Sequence, residues 1–387
     1  YIGSLCYAPS DPLYPQQQSD LALIGMEDAW AVQPGADASV RVAVVDSGMQ
    51  ADHPDLAPAL DLADSWNFVD GNASVFDDIG HGTRVGGIIG AAGNNGEGVA
   101  GVAFGCTLLS LDVTDTSGVV TASRVASAVN WASSHGAHVV NLSLRFSGYS
   151  QTLKDACDAA HANGSLLVAA AGNENQGDLP VYPASFDSVV GVGALLDDGV
   201  TRAPWSNYNG VQTDLVDLAA PGQTIFAPIP GSQYNGIYGS GTSFAAPVVA
   251  GVAALVKAKH PDQGGAAIRN HLLETADAGA ASWSTNGRID AKAALETALA
   301  PRLSVARVTV RDPKSLNPAN DDDGALDKGE DVQLVVELSN AGGDATSVSA
   351  VLSTGDSDIG PIADAAADYG QVPHGAVVGN GNDPYTT

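Results

Sequence analysis

An aspartate, a histidine and a serine, each in a setting that suits catalysis, occur in that order along this chain of 387 residues. Asp46 ends the apolar run Val42-Ala43-Val44-Val45 and is followed by Ser47-Gly48. His81 lies in Gly80-His81-Gly82-Thr83, and Ser243 in Gly241-Thr242-Ser243-Phe244-Ala245-Ala246-Pro247. A serine hydroxyl is a weak nucleophile at neutral pH and needs an adjacent base, which an imidazole supplies. A carboxylate behind the imidazole fixes its tautomer and stabilises the imidazolium. Asn173, in Ala169-Ala170-Ala171-Gly172-Asn173, offers a side-chain amide to a developing oxyanion, beside the Ser243 backbone N–H. Each residue alone has a bland reading as a cap, turn or core residue. The four together point to peptide-bond hydrolysis.

The elements that must hold these groups are legible in the apolar pattern. Val42–Val45 reads as a parallel strand buried on both faces, delivering Asp46 at its carboxyl end. Strand-like runs recur at Leu108–Val113, His138–Leu144, Leu166–Ala170 and Val189–Val192, and helical patterns at Thr121–Ser134, Thr152–Ala162 and Phe244–Lys259. Alternating strand and helix implies an α/β domain of three layers, a parallel sheet between helices. Helices at Gly265–Glu274 and Ala291–Leu299 close it. Ser243 sits where a glycine-rich turn enters a helix, so backbone N–H groups and the positive dipole end face it. Pro247 is expected in the first turn, where its missing N–H costs nothing. Beyond Pro301 the pattern changes to β-branched runs at Leu303–Val310, Asp331–Leu338 and Val348–Leu352. The expectation is a catalytic domain over 1–300, with an N-terminal extension over 1–20, then a β-sandwich-like segment over 301–387 that is short for a full sandwich of about seven strands in about 100 residues.

The motifs resemble those of the subtilisin-like serine proteases, or subtilases. The resemblance spans roughly residues 13–300. It includes Asp52-His53-Pro54-Asp55-Leu56, Tyr182-Pro183-Ala184 and Ala219-Ala220-Pro221-Gly222. The opening Asp11-Pro12-Leu13-Tyr14-Pro15-Gln16-Gln17 and Arg84 are similar to kexin-like members. The resemblance implies a secreted endopeptidase of broad specificity, acting on protein or peptide substrates and made with an inhibitory pro-segment. It leaves His53 in a structural turn. A narrowly specific processing protease is the alternative within enzymes, and a binding protein on a silent scaffold the alternative outside them. The intact catalytic set speaks against the silent scaffold.

Resemblance also locates the substrate. An extended peptide would pair with Thr116–Gly118, including Ser117 and Gly118, and with Ser143, Leu144 and Arg145. The specificity pocket would be walled by Ser143-Leu144-Arg145 and by Ala170-Ala171-Gly172. The family commonly has glycine where Arg145 stands, so a long cation here would narrow the pocket or favour acidic substrates. Structural calcium is expected in a site formed by Gln18, Asp55 and the loop bearing Asn94 and Asn95, oxygen donors suited to a hard cation. A second calcium loop, with Asp321, Asp323, Asp327 and Glu330, follows the spacing of an EF-hand but has Ala319 in the first position. A solvated acidic turn is the preferred reading of that loop.

The formal net charge of −28 excludes nucleic acid and anionic membranes as partners, because phosphate backbones demand basic surface. No apolar run is expected to span a bilayer, and the protein is expected to be a monomer. Tyr1 at the start fits a trimmed, mature form. Cys6, Cys106 and Cys157 lie in no metal or redox spacing; one disulfide with one free thiol is open, with no pairing favoured.

Overall fold

A computed structural model describes residues 7–211, 213–236, 239–312, 316–317, 323–325, 331–353, 362, 365–381 and 384–386. The chain forms two compact units, Tyr1–Thr297 and Ala298–Thr387.

The first unit opens with helices α1 (Tyr14–Ala22) and α2 (Met26–Val32). Then come β1 (Arg41–Asp46), β2 (Trp66–Asn67), α3 (His81–Gly90), β3 (Thr107–Asp112), α4 (Ala122–Ser134) and β4 (Val139–Leu142). The order continues with α5 (Gln151–Ala162), β5 (Leu166–Ala170), β6 (Val189–Leu195), β7 (Leu218–Pro221) and the small hairpin β8 (Ala227–Ile229) and β9 (Gln233–Asn235). Helices α6 (Thr242–Lys259), α7 (Gly265–Thr275) and α8 (Ala291–Glu296) complete it. Seven strands form one sheet in the order β2-β3-β1-β4-β5-β6-β7, with every neighbouring pair parallel.

Strands buried on both faces explain the continuous apolar runs. Val42 and Val44 of β1 pack into the core beneath α3 and α6, while Ala43 and Val45 pack into the opposite core beneath α4 and α5. Strand order reverses at β1, which lies between β3 and β4, so Asp46 emerges at the sheet's switch point. Helix α6 crosses this point. Its length and mean hydropathy of 1.3 would suffice for a bilayer, against the expectation that no run does. It is instead the core helix, 78% buried inside the domain.

Helix α3 packs tightly on the loop after β1 because its glycines leave no side chain between. A Cβ on Gly82 would sit 2.1 Å from the Gly48 carbonyl oxygen, and one on Gly86 would sit 2.4 Å from Met49 Sδ. This close approach brings His81, the first residue of α3, over the end of β1.

Cys106 and Cys157 are free, buried thiols in the two different cores, so they do not bridge each other. Burial pushes each up to about 12, which keeps them protonated and inert. Cys6 lies outside the described residues.

The second unit is all β. Strands β10 (Leu303–Arg311), β11 (Gln333–Asn340) and β14 (Val377–Gly379) form an antiparallel sheet that β15 (Tyr385–Thr386) joins through β11. Strands β12 (Ala345–Val351) and β13 (Ala366–Val372) make a separate antiparallel pair. Val336, Leu338, Ala345, Ala367, Tyr369, Val372 and Tyr385 form its small core.

Candidate active site

Asp46 is 5% exposed at the end of β1. Its Oδ1 accepts hydrogen bonds from His81 Nδ1 at 2.7 Å and from the Ser47 N–H at 2.8 Å. An ionised carboxylate only accepts, so this bond puts the proton on Nδ1 and leaves Nε2 as the base. Burial pushes the His81 imidazole down, but the Asp46 charge, its hydrogen bond and the charge of Asp77 outweigh this. The net result is a base raised above the ordinary histidine value, with Arg84 opposing the rise. The His81 ring lies 5.2 Å from the ring of Phe244, the residue after Ser243.

A second buried carboxylate, Asp77, organises the entry to α3. Its Oδ1 accepts from Ser47 Oγ at 2.8 Å and from the Gly80 N–H at 2.6 Å. Its Oδ2 accepts from the Thr83 N–H at 2.8 Å and Thr83 Oγ1 at 2.6 Å. Asp77 thus satisfies orphan donors of the first turn that Gly80, at the N-cap, cannot. The sequence reading missed it; an Asp six residues before Thr83 is too far for an ordinary cap. Arg84 is also buried, its Nη1 donating to the Asn235 carbonyl at 2.6 Å and its guanidinium 5.7 Å from the Phe244 ring centroid.

Ser243 is the second residue of α6. Pro247 is not in the first turn, as expected, but inside the helix. Its missing N–H would have bonded to the Ser243 carbonyl, four residues back. Ser143 Oγ fills that role, donating to the Ser243 carbonyl at 2.7 Å and accepting from Asn141 Nδ2 at 2.9 Å.

The Asn173 amide is aimed by Thr242. Asn173 Oδ1 accepts from the Thr242 N–H at 2.9 Å and from Thr242 Oγ1 at 3.0 Å, which turns Nδ2 outward as a free donor. A Cβ on Gly241 would lie 3.0 Å from Ser243 Oγ and 3.5 Å from Asn173 Nδ2. A side chain at Gly241 would thus crowd both the Ser243 hydroxyl and the Asn173 amide, and glycine leaves the space beside them open. Asn207, fully buried, fixes the same loop: its Nδ2 donates to the Ala171 carbonyl at 2.8 Å, and its Oδ1 accepts from the Glu174 and Gln176 N–H groups. It too was missed, because an asparagine in Trp205-Ser206-Asn207-Tyr208 carries no local sign of its role.

Asp46, His81, Gly118, Ser143 and Leu144 line one cavity of about 230 Å³. Ser117 and Gly118 belong to a tight turn closed by Asp115, whose Oδ1 accepts from the Ser117 and Val119 N–H groups. Ala170, at the end of β5, is buried. Arg145 does not hang free at the pocket: its Nη2 is ion-paired with Glu174 Oε1.

Of the expected calcium ligands, Asp55, Asn94 and Asn95 come together, and Gln18 does not. Gln18 Nε2 donates to Glu27 Oε1 at 2.8 Å, while its neighbour Gln17 reaches the Ala100 backbone. The place of Gln18 is taken by Asp11, which the sequence reading treated only as part of a motif. Asp11 Oδ2 accepts from the Asn94 N–H at 2.7 Å and its Oδ1 from the Asn95 N–H at 3.2 Å. Asp55 Oδ1 accepts from Asn95 Nδ2 at 2.8 Å. Asp11 and Asp55 are both buried, and among the described residues neither is ion-paired to a lysine or arginine. Two buried carboxylates and amides around one loop are a donor set that suits a hard cation.

In the acidic tail loop, Asp321, Asp327 and Glu330 lie outside the described residues. Asp323 Oδ1 accepts from the Ala325 N–H at 2.8 Å, and Asp312 holds the Asp323 and Gly324 N–H groups at 3.0 Å each. Those bonds describe a turn. Among the described residues no group of three or more His, Cys, Asp or Glu side chains converges as metal ligands.

Comparison with known proteins identifies the family. The Subtilase family model matches residues 37–302. Thermitase of Thermoactinomyces vulgaris is 36% identical over 292 residues, 75% of this chain and 100% of its own. Subtilisin Savinase of Lederbergia lenta is 41% identical over 256 residues, 66% of this chain and 90% of its own. Among solved structures, a protease from Pseudoalteromonas arctica superposes with a TM-score of 0.65 and 31% identity, over 75% of this chain and 99% of its own. The chain belongs to the subtilase family of serine endopeptidases.

Proposed function

We propose that the protein is a secreted endopeptidase that cleaves peptide bonds through Asp46, His81 and Ser243, with Asn173 as oxyanion donor. The observation that carries this reading is the open space at Gly241, where a Cβ would meet both Ser243 Oγ and Asn173 Nδ2. Ser243 Oγ attacks the substrate carbonyl carbon while its proton passes to His81 Nε2. The carbonyl oxygen becomes an oxyanion held by Asn173 Nδ2 and the Ser243 N–H. His81 then protonates the leaving amine as the C–N bond breaks, and a water repeats the sequence on the acyl-enzyme. Asp46 holds Nδ1–H throughout. The substrate backbone pairs with Ser117–Gly118 on one side and Ser143–Leu144 on the other.

Extracellular relatives, such as the halolysin-like extracellular serine protease of Natrialba magadii, 36% identical over 297 residues, support secretion. Calcium, bound by Asp11 and Asp55 beside Asn94 and Asn95, would supply rigidity to the N-terminal segment and would take no part in the chemistry. The test is casein hydrolysis by the mature protein and by Ser243→Ala. The reading expects activity in the first and a loss of about 10⁴-fold or more in the second. Equal activity in both would overturn it.

A further inference from the structure

Arg145 and Glu174 meet directly over the oxyanion loop. A Cβ on Gly172 would lie 2.8 Å from Glu174 Oε2 and 3.1 Å from Arg145 Cδ. The Glu174 carboxylate is held firmly: Oε2 accepts from the Asn173 N–H and from Asn207 Nδ2, each at 3.1 Å, and Oε1 pairs with Arg145 Nη2. A half-exposed ion pair is worth little by itself. Here the anion is fixed by two further donors, so the flexible arginine is the partner that follows.

The position of the pair has a consequence for substrate choice. Leu142 of β4 and Ala169 of β5 are register partners in adjacent parallel strands. The segments that continue them, Ser143–Arg145 and Ala170–Gly172, therefore run side by side beyond the sheet. Ser143 touches the Ser243 carbonyl, and Gly172 precedes Asn173. With its carbonyl held beside Ser243 and Asn173, the residue on the acyl side of the bond (P1) has the space bounded by these two segments, against Gly172, open to its side chain.

We infer that the Arg145–Glu174 pair is a latch across this entrance, which shortens the P1 pocket and cancels its charge. The inference rests on the protease reading above. It assigns a substrate class: chains with small, uncharged P1 residues such as alanine, with aromatic, basic and acidic side chains disfavoured. Arg145 supplies the bulk. Glu174, neutralised, no longer attracts lysine or arginine, and Arg145, neutralised, no longer attracts aspartate or glutamate.

The test uses mature protein, normalised by titration of Ser243 with a covalent inhibitor, on peptide anilides with Ala, Phe, Lys or Glu at P1. Wild type should favour Ala. In Arg145→Gly the Phe/Ala and Lys/Ala ratios of kcat/KM should rise about tenfold or more, as the pocket deepens and Glu174 is bared. In Glu174→Gln, which keeps an acceptor for Asn173 and Asn207, the Glu/Ala ratio should rise about tenfold, since Arg145 is freed. A wild type that favours Phe, Lys or Glu, or ratios unmoved in both variants, would overturn the latch while leaving the protease reading intact. A wild type that takes up no titrant would overturn both.

Discussion

Ser143 Oγ donates a 2.7 Å hydrogen bond to the carbonyl of Ser243, the carbonyl that Pro247 leaves without its helical partner. The Ser243 backbone is thereby tied to Ser143, next to β4, rather than to its own helix. Asn141 Nδ2, itself buried in β4, orients the Ser143 hydroxyl for this task. A helix that begins at a catalytic serine must leave its N–H groups free for substrate. Here the carbonyl of the same residue is satisfied from outside, so the first turn stays in register.

The oxyanion donor gives the first prediction. Asn173 Nδ2 is aimed by two bonds from Thr242 to Oδ1, and in the proposed reaction it bonds the substrate oxygen most strongly once that oxygen is charged. Asn173→Ala should lower kcat by about 10²–10³, the loss typical of such a donor in this family, with KM nearly unchanged. Steady-state kinetics on one peptide substrate decides it. A change confined to KM would show that the amide only binds substrate.

Much of this site was legible before any coordinates. Apolar runs reported the buried strands, and β1 ends where Asp46 was expected. The outlying strand β2 and the short β7 were not seen, because two to four residues carry no period. Asp11, Asp77 and Asn207 carry no local sign of their roles. Asp11 and Asn207 act on backbone N–H groups brought close only by the fold, Asp11 on Asn94 and Asn95 from 83 and 84 positions away. The bonds of Asp77 within its own turn look like those of any turn aspartate. Gln18 illustrates the converse: one step along α1 moves a side chain by about 100°, from the loop to solvent.

Arg84 yields a pH prediction. Catalysis needs neutral His81, so kcat/KM rises as pH climbs through its pKa. The charge of Arg84 lowers that pKa, against the pull of Asp46 and Asp77. Arg84→Met should therefore move the acid limb of the kcat/KM profile to higher pH. A limb that stays in place, or moves down, would contradict the assignment.

Asp20 bears on stability. Burial, and then the charge of Asp197, pushes its carboxyl up to about 7. A carboxyl raised on folding favours the folded state when protonated; that contribution is complete below the unfolded value and is lost as pH rises through 7. Asp20→Asn should leave the melting temperature almost unaltered near pH 4 and raise it by about 2 °C or more near pH 8. Equal gains at both pH values would mean that Asp20 does not titrate as described.

Calcium should act on stability and leave the chemistry alone. An ion that binds only the folded state stabilises it by about 2.7 kcal/mol when the free ion is a hundredfold above Kd. Melting curves with calcium and with chelator should therefore differ for wild type, while initial rates of intact enzyme agree. Asp11→Ala and Asp55→Ala should each remove most of that difference. Glu330→Ala should do so only if the acidic tail loop also holds an ion. Identical wild-type curves would sink the site at Asp11 and Asp55.

The central claim is that Ser243 is a nucleophile activated by His81, and covalent labelling addresses it most directly. Mature protein treated with a fluorophosphonate and digested for mass spectrometry should carry one adduct, on the peptide containing Ser243. His81→Ala should take up the label far more slowly, because the hydroxyl then lacks its base. An unlabelled Ser243 in the folded wild type, or equal labelling rates with and without His81, would contradict the account.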